Sequence, residues 1–199
     1  MNPITLTEDE KDVLQELMNV AYGNATAVVA EMLDAFATLS IPNIKVMETS
    51  ALLEEFQSLK GSSYFFSTQA FVGEFSGESA FFIDNESAQN LSTHLELESE
   101  DDLDDAILEL TNVLTSSLTT RLAQEMDTEV RFSLPSISKV PLGEIANNQT
   151  FKEYSQVIVI DTQLIFEDQK INGEIFILTK DGSIEWLKNR LNIILEALM

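Results

Sequence analysis

DVLQELMNV, residues 12–20, places two acids and an amide at spacings of four and three. A helix turns about 100° per residue, so Asp12, Glu16 and Asn19 fall in one row along a helix face. Leu14, Leu17, Met18, Ala21, Ala25, Val28 and Met32 gather on the opposite side. The stretch therefore predicts an amphipathic helix with a buried apolar stripe and a wet row. Thr7 followed by Glu10 reads as a capping box and sets the helix start near residue 8. One such row is what any solvated face produces by chance.

The row occurs twice. Residues 105–113 read DAILELTNV, and Asp105, Glu109 and Asn112 repeat the spacing 93 residues on. Ile107, Leu110, Leu114 and Leu118 form the second stripe. SIPNI (40–44) is answered by SLPSI (133–137), so Pro42 and Pro135 are also 93 apart, and 22 residues separate each asparagine from its proline. SGESAFFI (76–83) resembles NGEIFIL (172–178), and NESAQNL (85–91) resembles DGSIEWL (181–187), now at a shift of 96. The chain reads as one domain made of two repeats, about 1–98 and 99–199, with about three residues inserted in the second. Duplication accounts for recurring core positions. Packing demands little of a solvent face, yet the triplet persists while Ala21, Tyr22 and Gly23 have become Leu114, Thr115 and Ser116. That contrast points to a function for the rows.

The expected fold class is α+β. Each half predicts a long helix (8–34; 103–126), a strand broken by proline (36–48; 129–140) and a short helix (SALLEEFQSL; 141–147). Two strands (within 62–73 and 77–83; 155–166 and 170–178) and a helix (85–95; 181–198) follow. The assembled form is a six-stranded, largely antiparallel sheet, with the two long motif-bearing helices related by a pseudo-two-fold axis. ELESEDDLDD (96–105) reads as a linker running into a helix N-terminus, where the dipole favours acids. It lacks the glycine and spacing of a calcium loop.

Composition narrows the function. The 199 residues carry a net charge of −23, which repels nucleic acid and anionic lipid as partners. Apolar residues make up 44%, enough to fold. Absence of cysteine excludes thiolate catalysis and zinc–sulfur sites. The acidic start MNPITLTEDE has no signal-peptide pattern, and the charge-free run Leu17–Ala30 is too short and polar to span a bilayer. The reading is a soluble, cytoplasmic monomer.

No nucleophile–base pair is available, since His94 stands alone in STHLE as a solvated or partly packed residue. No phosphate-binding glycine loop, dinucleotide fingerprint or zinc-helix motif occurs. Phosphoryl chemistry needs metal or cations to take up charge. The first row has only Lys11 nearby, and the second has no cation until Arg121. An amide one turn from a carboxylate can still do something narrower: hold a water in line while the carboxylate pairs with a partner's cation.

This pattern resembles the CheC, CheX and FliY family of chemotaxis phosphatases. Its motif is Asp or Ser, three residues, Glu, two residues, Asn, twenty-two residues, Pro. The chain meets it at Asp12, Glu16, Asn19 and Pro42, and again at Asp105, Glu109, Asn112 and Pro135. Two motifs in one chain look most like CheC. The resemblance implies a hydrolase acting on the phosphoaspartate of a phosphorylated CheY-type response regulator in two-component signalling. The regulator would bring Mg²⁺ and a lysine, and this chain no cofactor or metal of its own. Asn19 and Asn112 would orient the hydrolytic water, Glu16 and Glu109 would pair with the lysine, and Asp12 and Asp105 would support the glutamates or the docking surface. CheC proteins also bind the receptor deamidase CheD, and related proteins serve in the flagellar switch, so a non-enzymatic adaptor is the alternative. One departure is that Gly23, common at this place in the family, is replaced by Ser116 in the second half. If close helix packing needs that glycine, the first site is expected to be the stronger.

Overall fold

The computed structural model describes residues 4–58, 63–141, 155–179 and 181–198. Helix α1 (Glu8–Met32) begins where the capping box placed it. Thr7 Oγ1 accepts from the Glu10 amide at 3.2 Å, and the Glu10 carboxylate accepts from the Thr7 amide at 2.7 Å. Its repeat, α4 (Glu100–Glu125), has a capping box of its own in Ser99 and Asp102. It therefore starts at Glu100 rather than at 103, and the acids 100–105 form its first turns instead of a linker. Both helices end on an aspartate in the left-handed region, Asp34 (φ 45°) and Asp127 (φ 54°), at equivalent positions. The next amides, of Ala35 and Thr128, reach back to the carbonyls of Ala30 and Ala123, closing each helix in the same way.

The strands are β1 (Thr38–Leu39), β2 (Asn43–Glu48), β3 (Ser63–Gly73), β4 (Gly77–Asp84), β5 (Val130–Phe132), β6 (Ser136–Pro141), β7 (Gln156–Phe166) and β8 (Ile171–Thr179). β1 and β2 lie along β7, and β5 and β6 lie along β3. The sheet thus has eight strands but is six strands wide and antiparallel throughout, because Pro42 and Pro135 each split an edge strand in two. A proline cannot donate to the ladder and is tolerated at such an edge.

β4 and β8 meet at the centre, with Ala80 opposite Phe176. These two residues are also repeat equivalents, so the pseudo-two-fold axis passes between them. The β3–β4 register matches β7–β8 only when the hairpin of the second half carries three extra residues. The insertion therefore lies in the turn between Phe166 and Gly173. Gly77 and Gly173 recur for a packing reason. The Leu178 carbonyl and the Phe71 ring occupy the place of a side chain at Gly77, and the Phe81 ring does so at Gly173.

Helices α3 (Asn85–His94) and α5 (Asp181–Leu198), with α1 and α4, cover one face of the sheet. Leu14, Met18, Ala21 and Ala25 of α1 share that core with Ile107, Leu110, Leu114 and Leu118 of α4, all fully buried. Each large apolar side chain so buried contributes about 1.5–3 kcal/mol, which fixes the rotation of both helices. The buried stripe of α1 is turned slightly from the sequence reading, taking in Tyr22 and Val29 and leaving Val28 exposed. On the other face α2 (Thr49–Ser58) sets Leu52 against Phe66, Phe82, Val159 and Phe176. The helix expected over 141–147 lies outside the described residues. His94 is partly packed, its Nε2 2.7 Å from the Leu33 carbonyl, tying the end of α3 to the end of α1.

Candidate functional site

The buried stripes turn the rows outward. Asp12, Glu16 and Asn19 are exposed on α1, and Asp105 and Glu109 are exposed on α4. Asn112 differs from its counterpart in being half-buried and held. Gln69 of β3 donates from Nε2 to Asn112 Oδ1 at 2.8 Å and to the Ser133 carbonyl at 2.9 Å. Two positions earlier on the same strand face, Ser67 makes a short hydrogen bond to Thr111, whose hydroxyl also donates to the Ile107 carbonyl at 2.7 Å. β3 thus grips α4 at the residue before the asparagine and at the asparagine itself. With its oxygen engaged, the planar amide of Asn112 presents Nδ2 away from Gln69 as a donor.

The first half is built differently at these points. Ser67 and Thr111 are matched by Ile160 and Met18, both in the apolar core. Gln69 is matched by Thr162, whose hydroxyl donates to the Ser40 carbonyl at 2.7 Å. Threonine is too short to go on to an asparagine, and the Asn19 side chain makes no hydrogen bond among the described residues. Tyr22, one turn after Asn19, is buried, and withdrawal from water pushes its hydroxyl pKa above the ordinary range.

The glycine argument is overturned. A side chain at Gly23 would meet nothing within 4 Å, so no close packing depends on it. Ser116 sits on α4 without disturbance, its hydroxyl 3.3 Å from the Val113 carbonyl. The second row is the more firmly organised of the two.

Both prolines follow a serine clamp. Ser40 makes two hydrogen bonds to the Gln163 backbone, the Ser40 amide donating to the Gln163 carbonyl at 2.9 Å and the Gln163 amide to Ser40 Oγ at 2.9 Å. Ser133 does the same with Ala70, at 2.9 and 3.1 Å. Pro42 is buried and Pro135 half-buried.

The cations nearest the rows in sequence are engaged. Lys11 pairs with Glu8 at 2.7 Å, and Arg121 pairs with Glu125. The fold also brings Lys139 of β6 toward the start of α4, beside Asp104. Its ammonium lies 4.8 Å from the centre of the Phe65 ring and within electrostatic reach of Asp104. Asp104 is nevertheless harder to ionise than an ordinary carboxyl, first because of desolvation and then because Asp101 and Glu100 crowd it. Among the described residues no three acids or histidines converge to hold a metal ion, and no helix is long and apolar enough to cross a membrane. Taken alone, the rows offer carboxylates that can accept from a cation and amides that can donate to a water or an oxyanion. They supply nothing to neutralise a phosphoryl group.

This antiparallel sheet backed by two long helices is the fold of FliY and CheC-like proteins. In sequence the chain is similar to the CheY-P phosphatase CheC of Bacillus subtilis (strain 168), with 24% identity across 92% of this chain and 93% of that one. In structure it is similar to Thermotoga maritima FliY, with a TM-score of 0.76 and 13% identity over 95% of this chain and 98% of that chain. It is also similar to the FliM middle domain from H. pylori (TM-score 0.63, 14% identity, 93% and 99% covered). A chain of the CheX–CheY–BeF3–Mg²⁺ complex from Borrelia burgdorferi aligns with a TM-score of 0.52 and 12% identity, over 82% of this chain and 98% of that one. No family model matches the chain.

Proposed function

We propose that this protein dephosphorylates the phosphoaspartate of a CheY-type response regulator. The observation that carries the reading is the recurrence of a glutamate–asparagine pair at equivalent places on two helices whose other faces are buried, with Glu16, Asn19 and Glu109 exposed and Asn112 half-buried. Likeness to CheC, and to a chain of the CheX–CheY complex, supports the substrate class. In this reading Glu16 and Glu109 dock by pairing with a lysine of the regulator, and Asp12 and Asp105 support that contact. The Asn19 and Asn112 amides then hold a water in line with the acyl phosphate. The water oxygen forms a new bond to phosphorus as the bond from phosphorus to the aspartyl oxygen breaks. The products are inorganic phosphate, which carries both protons of the attacking water, and a free aspartate carboxylate. Mg²⁺ held by the regulator supplies the charge neutralisation that the rows lack; this chain contributes orientation, worth orders of magnitude when the geometry is fixed.

A second reading, binding without catalysis, draws on the fold shared with the FliM middle domain. The experiment that separates them is the decay of a phosphorylated receiver domain, with this protein at catalytic amounts. Acceleration with turnover supports the phosphatase. Stoichiometric binding with an unchanged decay rate supports the adaptor.

A further inference from the structure

A single exposed apolar side chain is ordinary on a protein surface, but the same exposure at both copies of a repeat is not. Ile41 is 75% exposed and Leu134 is 91% exposed. The two are repeat equivalents, each between the clamped serine and the motif proline. Of the other exposed large apolar residues among those described, Phe36 is the most exposed, and its counterpart is Glu129. Exposure at residues 41 and 134 is therefore a property of the repeated unit rather than an accident of one loop.

The local structure holds these side chains out. Each serine clamp fixes the backbone just before the apolar residue to the neighbouring long strand. The proline just after it cannot join the ladder, so the chain bulges between two edge strands and turns the apolar side chain away from the sheet. In the second half the clamp is continuous with the row, since Gln69 Nε2 joins the Ser133 carbonyl to Asn112. Leu134 thus stands one residue beyond an atom that shares a hydrogen-bond donor with the motif amide.

We infer that Ile41 and Leu134 are docking knobs for the receiver domain of the phosphorylated regulator, each entering an apolar depression beside the cation that the glutamate of the same repeat meets. This rests on the reading under Proposed function and adds a second contact to it. Charge decides between candidate occupants. A second copy of this chain would bring exposed acid rows of Asp12 and Glu16, or Asp105 and Glu109, against one another on a molecule of net charge −23. A partner with a cation next to its apolar depression meets both features at once. The acid row then gives long-range attraction and register, and the knob gives desolvated contact area.

The test uses the full chain with one site silenced. In an Asn19→Ala background only the second site acts; in an Asn112→Ala background only the first. Leu134→Ser in the Asn19→Ala background is expected to raise KM for the phosphorylated receiver about tenfold or more, the loss of one buried leucine side chain. kcat should stay within about twofold and the melting curve should not change. Leu134→Met should restore KM, and Ile41→Ser should be silent there. The pattern should invert in the Asn112→Ala background. An unchanged KM for Leu134→Ser and Ile41→Ser in active backgrounds overturns the inference and leaves the phosphatase reading standing. A wild-type chain that neither binds nor dephosphorylates the receiver overturns both. Sedimentation showing a dimer that Leu134→Ser dissociates, with KM unchanged, assigns the knobs to self-association and also overturns the inference.

Discussion

Gln69 Nε2 lies 2.8 Å from Asn112 Oδ1, whereas Thr162, its counterpart, turns to the Ser40 carbonyl, and Asn19 has no hydrogen-bond partner among the described residues. One repeat holds its asparagine in a fixed pose and the other leaves it to find one.

This difference predicts the ranking of the sites. Asn112→Ala should remove the larger share of activity and Asn19→Ala the smaller, the reverse of what Gly23 alone suggests. Gln69→Leu, tested in an Asn19→Ala background, should lower kcat by about 10- to 100-fold with little change in KM, because a misplaced group loses alignment rather than docking. The same change in an Asn112→Ala background should leave activity intact. Steady-state rates of receiver dephosphorylation check both.

The glutamates should act on docking. Glu16→Ala and Glu109→Ala, each measured with the other site silenced, should mainly raise KM. Truncating one member of a desolvated charge pair costs roughly 2–5 kcal/mol. Titration of rate against receiver concentration separates this from a loss in kcat.

The three glycines at repeat positions predict opposite effects. Gly77→Ala and Gly173→Ala place a methyl group against the Leu178 carbonyl and Phe71 ring, or against the Phe81 ring. Overpacking of this kind costs about 1–3 kcal/mol or more, read as a lower Tm. Gly23→Ala meets open space in a helix interior and should stabilise by about 0.5–1 kcal/mol.

Glu174 supplies a pH dependence. Burial, and secondarily Asp161, make its carboxyl harder to ionise than an ordinary one. The folded chain therefore holds that proton to a higher pH than the unfolded chain does. Its ionisation destabilises the fold as pH rises from the unfolded pKa through the folded one. Glu174→Gln should melt at a higher temperature than wild type at pH 7, and the two curves should converge toward pH 4.

Much of the fold was legible because its signals are local. Thr7 with Glu10 marks a helix start from side chains three residues apart, and Pro42 and Pro135 mark broken edge strands wherever the strands go. The Ser99–Asp102 box is equally local, but it was hidden inside an acid run that also suits a linker. The outward placement of the rows followed from helical periodicity. The hold on Asn112 did not, because it depends on the β3–α4 packing that brings Gln69 across 43 positions of sequence. Lys139 likewise comes near Asp104 of α4 only through the sheet. The role imagined for Gly23 failed for a related reason: the space around one residue is set by its neighbours in three dimensions.

The central claim is tested most directly by the Asn19→Ala, Asn112→Ala double variant. Decay of a phosphorylated CheY-type receiver with Mg²⁺ is followed under single-turnover conditions, with the variant in saturating excess. Loss of the aligned amides should reduce the accelerated rate by about 10²–10³, while receiver binding and the melting curve stay those of the wild-type chain. A folded double variant that still dephosphorylates the receiver at close to the wild-type rate would contradict the account.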